Sequence, residues 1–253
     1  MPVPNDWTLE DKVALITADT RGWAPVLASA LAEAGADVAV AGNSAEYVES
    51  AAAAVTAQGR RSTTIIGEFS GYAETDAAVD KTVSELGRID ILVNASLTEF
   101  GKPTLDTTEF EWRTVMDSNA GAAFRWARSV GRKMTEQGSG HIVNIISEMA
   151  ERGLTNHAAF SASQAAIQQM TRSLSLEWGT SGVRINCIAT GWIELDPPSL
   201  EEQQKELLVR YLPLRRKGTP AELATLMIYL SGDFSDFTTG QTIFVDGGAM
   251  AHA

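Results

Sequence analysis

The sequence predicts an α/β fold in which helices flank one doubly wound, seven-stranded parallel sheet, with residues 1–253 forming a single domain. Short apolar runs rich in β-branched residues alternate along the chain with longer segments of helical periodicity. The chain is 44% apolar, and none of its apolar runs is long enough to span a bilayer. Alternation of strand and helix requires crossover connections, which place parallel strands in one sheet.

Seven segments are predicted as strands because each is short, apolar and bounded by Gly, Asn or Asp. In chain order they are 13–17, 37–41, 62–66, 89–94, 141–147, 184–189 and 242–246. The predicted helices between them include 24–34, 45–58, 106–136 and 158–178. In such a sheet a ligand is expected in the crevice at the carboxyl ends of the strands.

Charge and composition exclude several classes of function. The formal charge is −12 and the basic residues are mostly scattered, which argues against a nucleic-acid or anionic-membrane surface. The lone Cys187 excludes an intrachain disulfide and a cysteine-based metal site, and the three His lack zinc-type spacing, so no metal is predicted. The first residues lack a basic stretch followed by an apolar one, so no secretory signal is predicted and a cytoplasmic location is expected.

The segment 147–164 has the most informative spacing. Ser147 is followed thirteen positions later by Phe160 and four positions after that by Gln164. This spacing resembles the active site of the short-chain dehydrogenase/reductase family, where a Tyr and a Lys occupy the last two places. In that family the phenol exchanges a proton, while the ammonium lowers its pKa and binds the cofactor ribose. Phe160 and Gln164 can do neither, so the resemblance implies a Rossmann-type fold without the usual acid/base pair.

Other segments extend the resemblance along the chain. Asn119 matches the family's helix-kinking Asn, and Ser147 matches its substrate-orienting hydroxyl. Residues 240–248 match the family's last strand and turn. The stretch at about 193–212 corresponds to the family's variable substrate flap, where Ser199, three residues before a Glu, predicts a capped helix.

The first crossover departs from the family's cofactor-binding pattern. From Thr17 it reads T-A-D-T-R-G-W-A-P, and Gly22 is the one glycine left where the family has three. Glycines there let the backbone approach a pyrophosphate at a helix N-terminus. Asp19 is expected to repel that phosphate, and Trp23 adds an indole.

Further positions of the expected cofactor groove also depart from the family's cofactor-binding pattern. Asn43 stands near the place where an acidic residue would select NAD, and Glu68 replaces the Asp expected near the adenine. Asn94 opens the sequence N-A-S-L, in which Leu97 replaces the family's glycine. Trp23 and Leu97 are together expected to fill the groove. The prediction is therefore that no cofactor binds, with weak NAD(P) binding as the alternative.

Neighbouring side chains offer a replacement for the missing acid/base pair. His157 lies three positions before Phe160 and is expected at the mouth of the same cleft, where an imidazole can act at neutral pH. Glu148 and Glu151 follow Ser147 on the loop after its strand. Ser147, His157 and a carboxylate would suffice for acid/base or nucleophilic work if their distances were suitable.

Three hypotheses for function follow. The leading one is a non-catalytic pseudoenzyme subunit, paired as a hetero-oligomer with an active homologue through the helices 106–136 and 158–178. The second is an enzyme of changed, redox-free chemistry on a small-molecule substrate, such as a lyase, dehydratase or dehalogenase-like catalyst. The third is an NAD(P)-dependent oxidoreductase with a substitute acid/base.

Overall fold

The computed structural model describes residues 7–19 and 21–251 and contains one sheet of seven parallel strands. The strand order is β3-β2-β1-β4-β5-β6-β7. The strands are Val13–Thr17 (β1), Asp37–Gly42 (β2), Ser62–Ile66 (β3), Ile91–Asn94 (β4), Gly140–Ser147 (β5), Val183–Thr190 (β6) and Thr242–Val245 (β7). The predicted fold class is confirmed, and every strand is found within two residues of its predicted ends. Both ends of the predicted domain lie outside the described residues, and so does the first half of the segment 1–12, in which no secretory signal is predicted.

Nine α-helices lie in the described ranges. They are Ala24–Glu33 (α1), Ala45–Ala57 (α2), Tyr72–Leu86 (α3), Glu109–Met116 (α4), Ala122–Gln137 (α5), Ala158–Trp178 (α6), Leu200–Gln203 (α7), Leu207–Tyr211 (α8) and Ala221–Ser231 (α9). The predicted helix 106–136 is thus two helices joined by a π-helical turn, Asp117–Gly121. The predicted cap on the flap is confirmed, because the Ser199 hydroxyl accepts the Glu202 N–H in a capping box.

The core consists of two apolar layers, one on each face of the sheet. Successive strand residues point to opposite faces. Ile16 therefore packs with α1, α2 and α9, whereas Leu15 packs on the other face with α3, α5 and α6. Helices on both faces bury the central strands completely, which explains their continuous apolar runs.

The topology places the functional edge of the sheet. Strand β1 pairs with β2 on one side and with β4 on the other. The chain therefore adds strands on one side of β1 as far as β3 and then on the other side from β4 onward. The connections leaving β1 and β4 separate at this point and leave a crevice beyond their carboxyl ends. Among the described residues, no helix combines the length and apolarity needed to cross a membrane.

Cys187 lies in the centre of β6 and is fully buried. Burial raises the pKa of its thiol to about 11. The thiolate is the reactive form of cysteine, so this side chain acts as a small apolar group in the core.

Removing a core side chain from the central sheet should destabilise the protein substantially. Leu92 on β4 is fully buried, so Leu92→Ala should lower the free energy of unfolding by about 2–5 kcal/mol. Leu105 is fully exposed, and Leu105→Ala is the matched control with an expected change within about 0.5 kcal/mol. Denaturant unfolding followed by circular dichroism measures both. Equal losses in the two variants would contradict the assigned core.

Candidate active site

Two adjoining spaces open at the carboxyl ends of the strands. The long groove has a volume of about 650 Å3 and extends past the ends of β1, β2, β3 and β4. The inner cleft, of about 240 Å3, lies beyond the end of β5 and under the start of the flap. Arg21, Leu97 and Glu99 line both spaces, so the two communicate.

The Asp19 carboxylate in the long groove is compensated by neighbouring donors. It accepts hydrogen bonds from the Arg21 main-chain N–H at 3.0 Å, the Arg21 Nε at 2.6 Å and the Leu97 N–H at 2.9 Å. Arg21 also donates to the Ala95 carbonyl. A carboxylate held by three donors does not present a bare charge to a phosphate. These donors weaken the repulsion expected between Asp19 and a phosphate, and that repulsion stays a prediction.

The long groove is open, contrary to the expectation that Trp23 and Leu97 fill it. The Trp23 ring packs into the core against α1, beneath the Arg21 guanidinium at 3.9 Å, and forms part of the inner-cleft wall instead. Leu97 is buried and covers only the junction of the two spaces. Gly22 has φ of +73°, a left-handed conformation that glycine adopts without strain, so the turn keeps its one required glycine.

The other predicted groove residues divide into lining and structural groups. Asn43 and Glu68 line the long groove at the ends of β2 and β3. The Thr17 Oγ1 accepts the N–H groups of Ala95 at 2.9 Å and Ser96 at 3.0 Å, which fixes the loop after β4. Asn94 does not face the groove, because it is buried and its Nδ2 donates to Asn144 at 2.7 Å.

Gln164 belongs to a buried hydrogen-bond chain that spans four segments. Its Oε1 accepts the Ser147 N–H at 3.0 Å, and its Nε2 donates to the Ser163 Oγ at 3.3 Å. Asn119 Nδ2 donates to the same Oγ at 3.1 Å and to the Thr98 carbonyl at 2.9 Å. Gln164 thus fixes the end of β5 relative to α6 and the π-helical turn. It is fully buried and reaches neither open space.

Ser147 and Phe160 lie on opposite elements that line the inner cleft. The Ser147 Oγ accepts the Met149 N–H at 3.2 Å, which leaves its own proton to be donated into the cleft. Phe160, at the first turn of α6, is 98% buried and gives the cleft an apolar wall. A benzyl ring cannot exchange a proton, so any proton transfer in this cleft belongs to another side chain.

Glu148 has the properties expected of a side chain that transfers a proton in this cleft. It lines the inner cleft directly after Ser147, its Oε1 accepts from Arg152 at 3.2 Å, and its Oε2 has no hydrogen-bond partner among the described residues. The pKa of this carboxyl is raised to about 7, chiefly by burial, with the Arg152 guanidinium opposing the shift and the Asp246 charge adding to it. A carboxyl poised near neutral pH can both give and take a proton.

The remaining candidates of the sequence analysis are separated by the fold. His157 forms the N-cap of α6 and lines the inner cleft, with its Nδ1 2.8 Å from the Thr155 carbonyl. Glu151 points away from the cleft and accepts from Gln168 Nε2 at 2.5 Å. The sequence did not single out Arg152 or Trp192 in advance. The Glu-x-x-x-Arg spacing was nevertheless a signal for the ion pair between Glu148 and Arg152.

One cluster of metal-ligand type side chains lies elsewhere in the described part of the chain. His141, Asp233 and Asp236 come together although they are far apart in sequence. The Lys12 ammonium contacts both Asp233 carboxylate oxygens, at 2.8 and 3.1 Å, and already supplies a cation there. Burial lowers the pKa of His141, which keeps its imidazole neutral.

Comparisons with known proteins match this chain over nearly its full length. A family profile described as enoyl-(acyl carrier protein) reductase matches residues 17–250. The 2-dehydro-3-deoxy-D-gluconate 5-dehydrogenase of Dickeya dadantii is 34% identical over 252 residues, covering 98% of each chain. The chain belongs to the short-chain dehydrogenase/reductase family.

Other members of the short-chain dehydrogenase/reductase family agree with this assignment. The 3-oxoacyl-(acyl-carrier-protein) reductase of Chlamydia muridarum is 34% identical over 242 residues, 95% of this chain and 98% of the relative. A short-chain type dehydrogenase/reductase from Mycobacterium marinum superimposes with a TM-score of 0.90 at 28% identity over 100% of both chains. A gluconate 5-dehydrogenase from Burkholderia cenocepacia J2315, in complex with NADP and tartrate, gives 0.88 at 29% identity over 98% of both.

These relatives correct two expectations about this short-chain dehydrogenase/reductase. The non-catalytic subunit hypothesis is wrong, because full-length relatives are named as dehydrogenases and reductases. The expectation of no cofactor is also wrong, because a structural neighbour over the whole chain holds NADP and another, a xylitol dehydrogenase, holds NAD+. The physical reason is the open groove, which the folding of Trp23 into the core leaves clear.

The raised pKa of Glu148 predicts that the stability of the protein depends on pH. Its ordinary value is 4.5 and its native value is about 7, so the native state holds this proton more strongly than the unfolded state. Below about pH 4.5 both states are protonated, so the native state is destabilised progressively as pH rises from about 4.5 to about 7 and by a constant amount above that window. Glu148→Gln removes the charge, so its stability relative to wild type should rise by on the order of 2 kcal/mol between about pH 4 and about pH 8.

Denaturant unfolding across this pH range measures the relative stability of the Glu148→Gln variant. Leu105→Ala, an exposed change without a titrating group, is the control and should differ from wild type by the same amount at each pH. A constant or falling difference for Glu148→Gln would show that the carboxyl titrates as an ordinary exposed one.

Proposed function

We propose that this protein is an NAD(P)-dependent oxidoreductase that interconverts a carbonyl and an alcohol, with Glu148 as the substitute acid/base. The observation that carries the proposal is a buried carboxyl with a pKa of about 7, placed beside Ser147 in a cleft that adjoins an open groove. The names of the full-length relatives support oxidoreductase chemistry over the redox-free alternative.

The residues of the long groove fit a dinucleotide. The groove lies at the switch in strand order, where such cofactors bind in doubly wound sheets. Gly22 and the N-terminal end of α1 would hold the pyrophosphate, with the Asp19 charge already compensated by Arg21. Asn43 and Glu68 would contact the adenosine end. Thr17 would hold the loop that supports the nicotinamide end through the Ala95 N–H.

In the proposed mechanism, Ser147 and Glu148 act on the substrate oxygen. The Ser147 hydroxyl donates a hydrogen bond to that oxygen and orients it. During reduction, the protonated Glu148 carboxyl gives its proton to the developing alkoxide, and the resulting carboxylate is stabilised by Arg152. During oxidation the same carboxylate takes the alcohol proton. When the nicotinamide cofactor is bound, it supplies the hydride for reduction and accepts it in oxidation.

This proposal treats the protein as a family member in which Phe160 and Gln164 replace the usual Tyr and Lys. Phe160 would exclude water from the proton-transfer path, because its ring is apolar and buried beside the cleft. Gln164 would position Ser147 through the main-chain N–H, since its side chain does not reach the long groove. Asn119 completes the same chain, and His157 would contact the substrate at the mouth of the cleft.

We also propose that the protein self-associates through the exposed faces of α4, α5 and α6. Phe110, Trp112 and Phe124 expose large apolar surfaces on the first two helices, and Leu176 does so on α6. Exposed aromatic side chains in this number are typical of protein interfaces. Sedimentation of the purified chain would test the proposal, and a monomer at micromolar concentration would contradict it.

The proposed function requires that the purified chain bind a reduced nicotinamide cofactor. Titration with NADH and NADPH, followed by cofactor fluorescence and by calorimetry, should give micromolar affinity for at least one of them. Gly22→Val should weaken that binding, because a side chain at φ of +73° is strained and its Cβ would approach Leu195 at 3.1 Å. Absence of binding at millimolar concentrations of both cofactors would contradict the proposed function.

Glu148→Gln should lower the turnover of any accepted substrate by about 100- to 10,000-fold, because it removes the positioned proton donor. In the wild type, kcat/KM for carbonyl reduction should fall as pH rises above about 7, where Glu148 loses its proton. Glu151→Gln is the matched control, since that carboxylate lies outside the cleft, and should retain nearly full activity. A loss of turnover of this size in His157→Gln, with no loss in Glu148→Gln, would instead assign the acid/base role to His157.

A further inference from the structure

We propose that the substrate of this site is uncharged and carries a flat or cyclic apolar group next to its reacting oxygen. The inference rests on the proposed function for the location of the chemistry, and it adds the substrate class. It is carried by two independent features of the inner cleft, the aromatic side chains in its walls and its balance of charge.

Aromatic rings from three separate segments line the inner cleft. Trp23 comes from the turn before α1, Phe160 from the first turn of α6 and Trp192 from the loop after β6. Aliphatic side chains complete the walls, namely Leu97, Met149, Leu154 and Ile193. Aromatic walls contact flat or cyclic groups over a large area. A volume of about 240 Å3 limits the bound part of the substrate to a single ring with small substituents.

The charges around the cleft disfavour an anion. Of the described residues that line it, Arg21 is the one with a permanent positive charge, and its Nε is bound to the Asp19 carboxylate at 2.6 Å while its guanidinium stacks on Trp23. Glu99 also lines the cleft and makes no ion pair with any described residue. Arg152, the cation behind the cleft, is not among the lining residues and is held by Glu148 at 3.2 Å and by the Trp192 ring at 5.2 Å. A carboxylate would therefore find no unpaired cation on the walls of the cleft and would meet the like charge of Glu99.

A further polar contact in the cleft fits a hydroxyl group. The His157 Nδ1 lies 2.8 Å from the Thr155 carbonyl, so this nitrogen carries a proton, and in the neutral ring the other nitrogen, Nε2, is an acceptor. A neutral hydroxyl can donate to Nε2, whereas a carboxylate cannot. This site thus differs in chemistry from one built for sugar acids, even though some relatives are named for gluconate.

Two isosteric probes that differ in charge test the inference directly. The purified protein, with saturating oxidised cofactor so that the ketone probes bind without being reduced, is titrated with 4-acetylbenzamide and with 4-acetylbenzoate, and tryptophan fluorescence reports binding in the cleft. We expect the neutral probe to bind at least about tenfold more tightly, because the acid meets Glu99 without a compensating cation. Equal or tighter binding of the acid overturns the inference, and so does the absence of binding of both probes at high millimolar concentration.

Two variants assign the effect to the named side chains. Glu99→Gln should reduce the preference for the neutral probe several-fold. Glu49→Gln makes the same change of charge at an exposed position of α2 and should leave the preference unaltered. Trp192→Leu should weaken the binding of both probes by a similar factor. An unchanged preference in Glu99→Gln would overturn the charge argument. Failure of the proposed function is distinguished separately, because it would appear in the cofactor titration and in the Glu148→Gln activity, neither of which uses these probes.

Discussion

Buried polar groups at the carboxyl edge of the sheet must be hydrogen-bonded, and the arrangement of the whole site depends on this constraint. Asn119, Ser163 and Gln164 satisfy one another and hold the backbone at Thr98 and Ser147. The chain of hydrogen bonds connects the loop after β4, the π-helical turn, α6 and the end of β5. An unsatisfied buried partner would cost about 1–3 kcal/mol, so these segments are held as a unit. Three of these segments, the loop after β4, the end of β5 and the start of α6, line the inner cleft.

The compensation of Asp19 by Arg21 explains how a divergent turn can border an open groove. Loss of two glycines adds methyl groups, and the added carboxylate would be unfavourable near a phosphate if it were free. Its pairing with Arg21 and with the Leu97 N–H converts it into a structural group that fixes two loops. The guanidinium in turn covers the Trp23 ring, whose burial in the core keeps the indole out of the groove.

In the proposed function, acid/base chemistry at this site would depend on burial of a carboxyl, where the resemblance to the family implies a phenol beside an ammonium. Glu148 is 97% buried next to Ser147, and desolvation alone accounts for most of the rise in its pKa. The Arg152 guanidinium opposes that rise. The burial that raises the pKa of this proposed acid/base also lowers the stability of the fold near neutral pH, a common cost of an active site.

The sequence by itself determined the sheet, its seven strands, α6 and the flap cap, because these follow from local periodicity, turn residues and short-range hydrogen bonds. It also located the cleft, since Ser147, His157 and Phe160 share two neighbouring segments. Only the tertiary structure decided where the Trp23 ring points, which group compensates Asp19, and which of Glu148 and Glu151 is buried. These outcomes depend on contacts between residues distant in sequence, and a pKa or an open volume is a property of such contacts rather than of any local pattern.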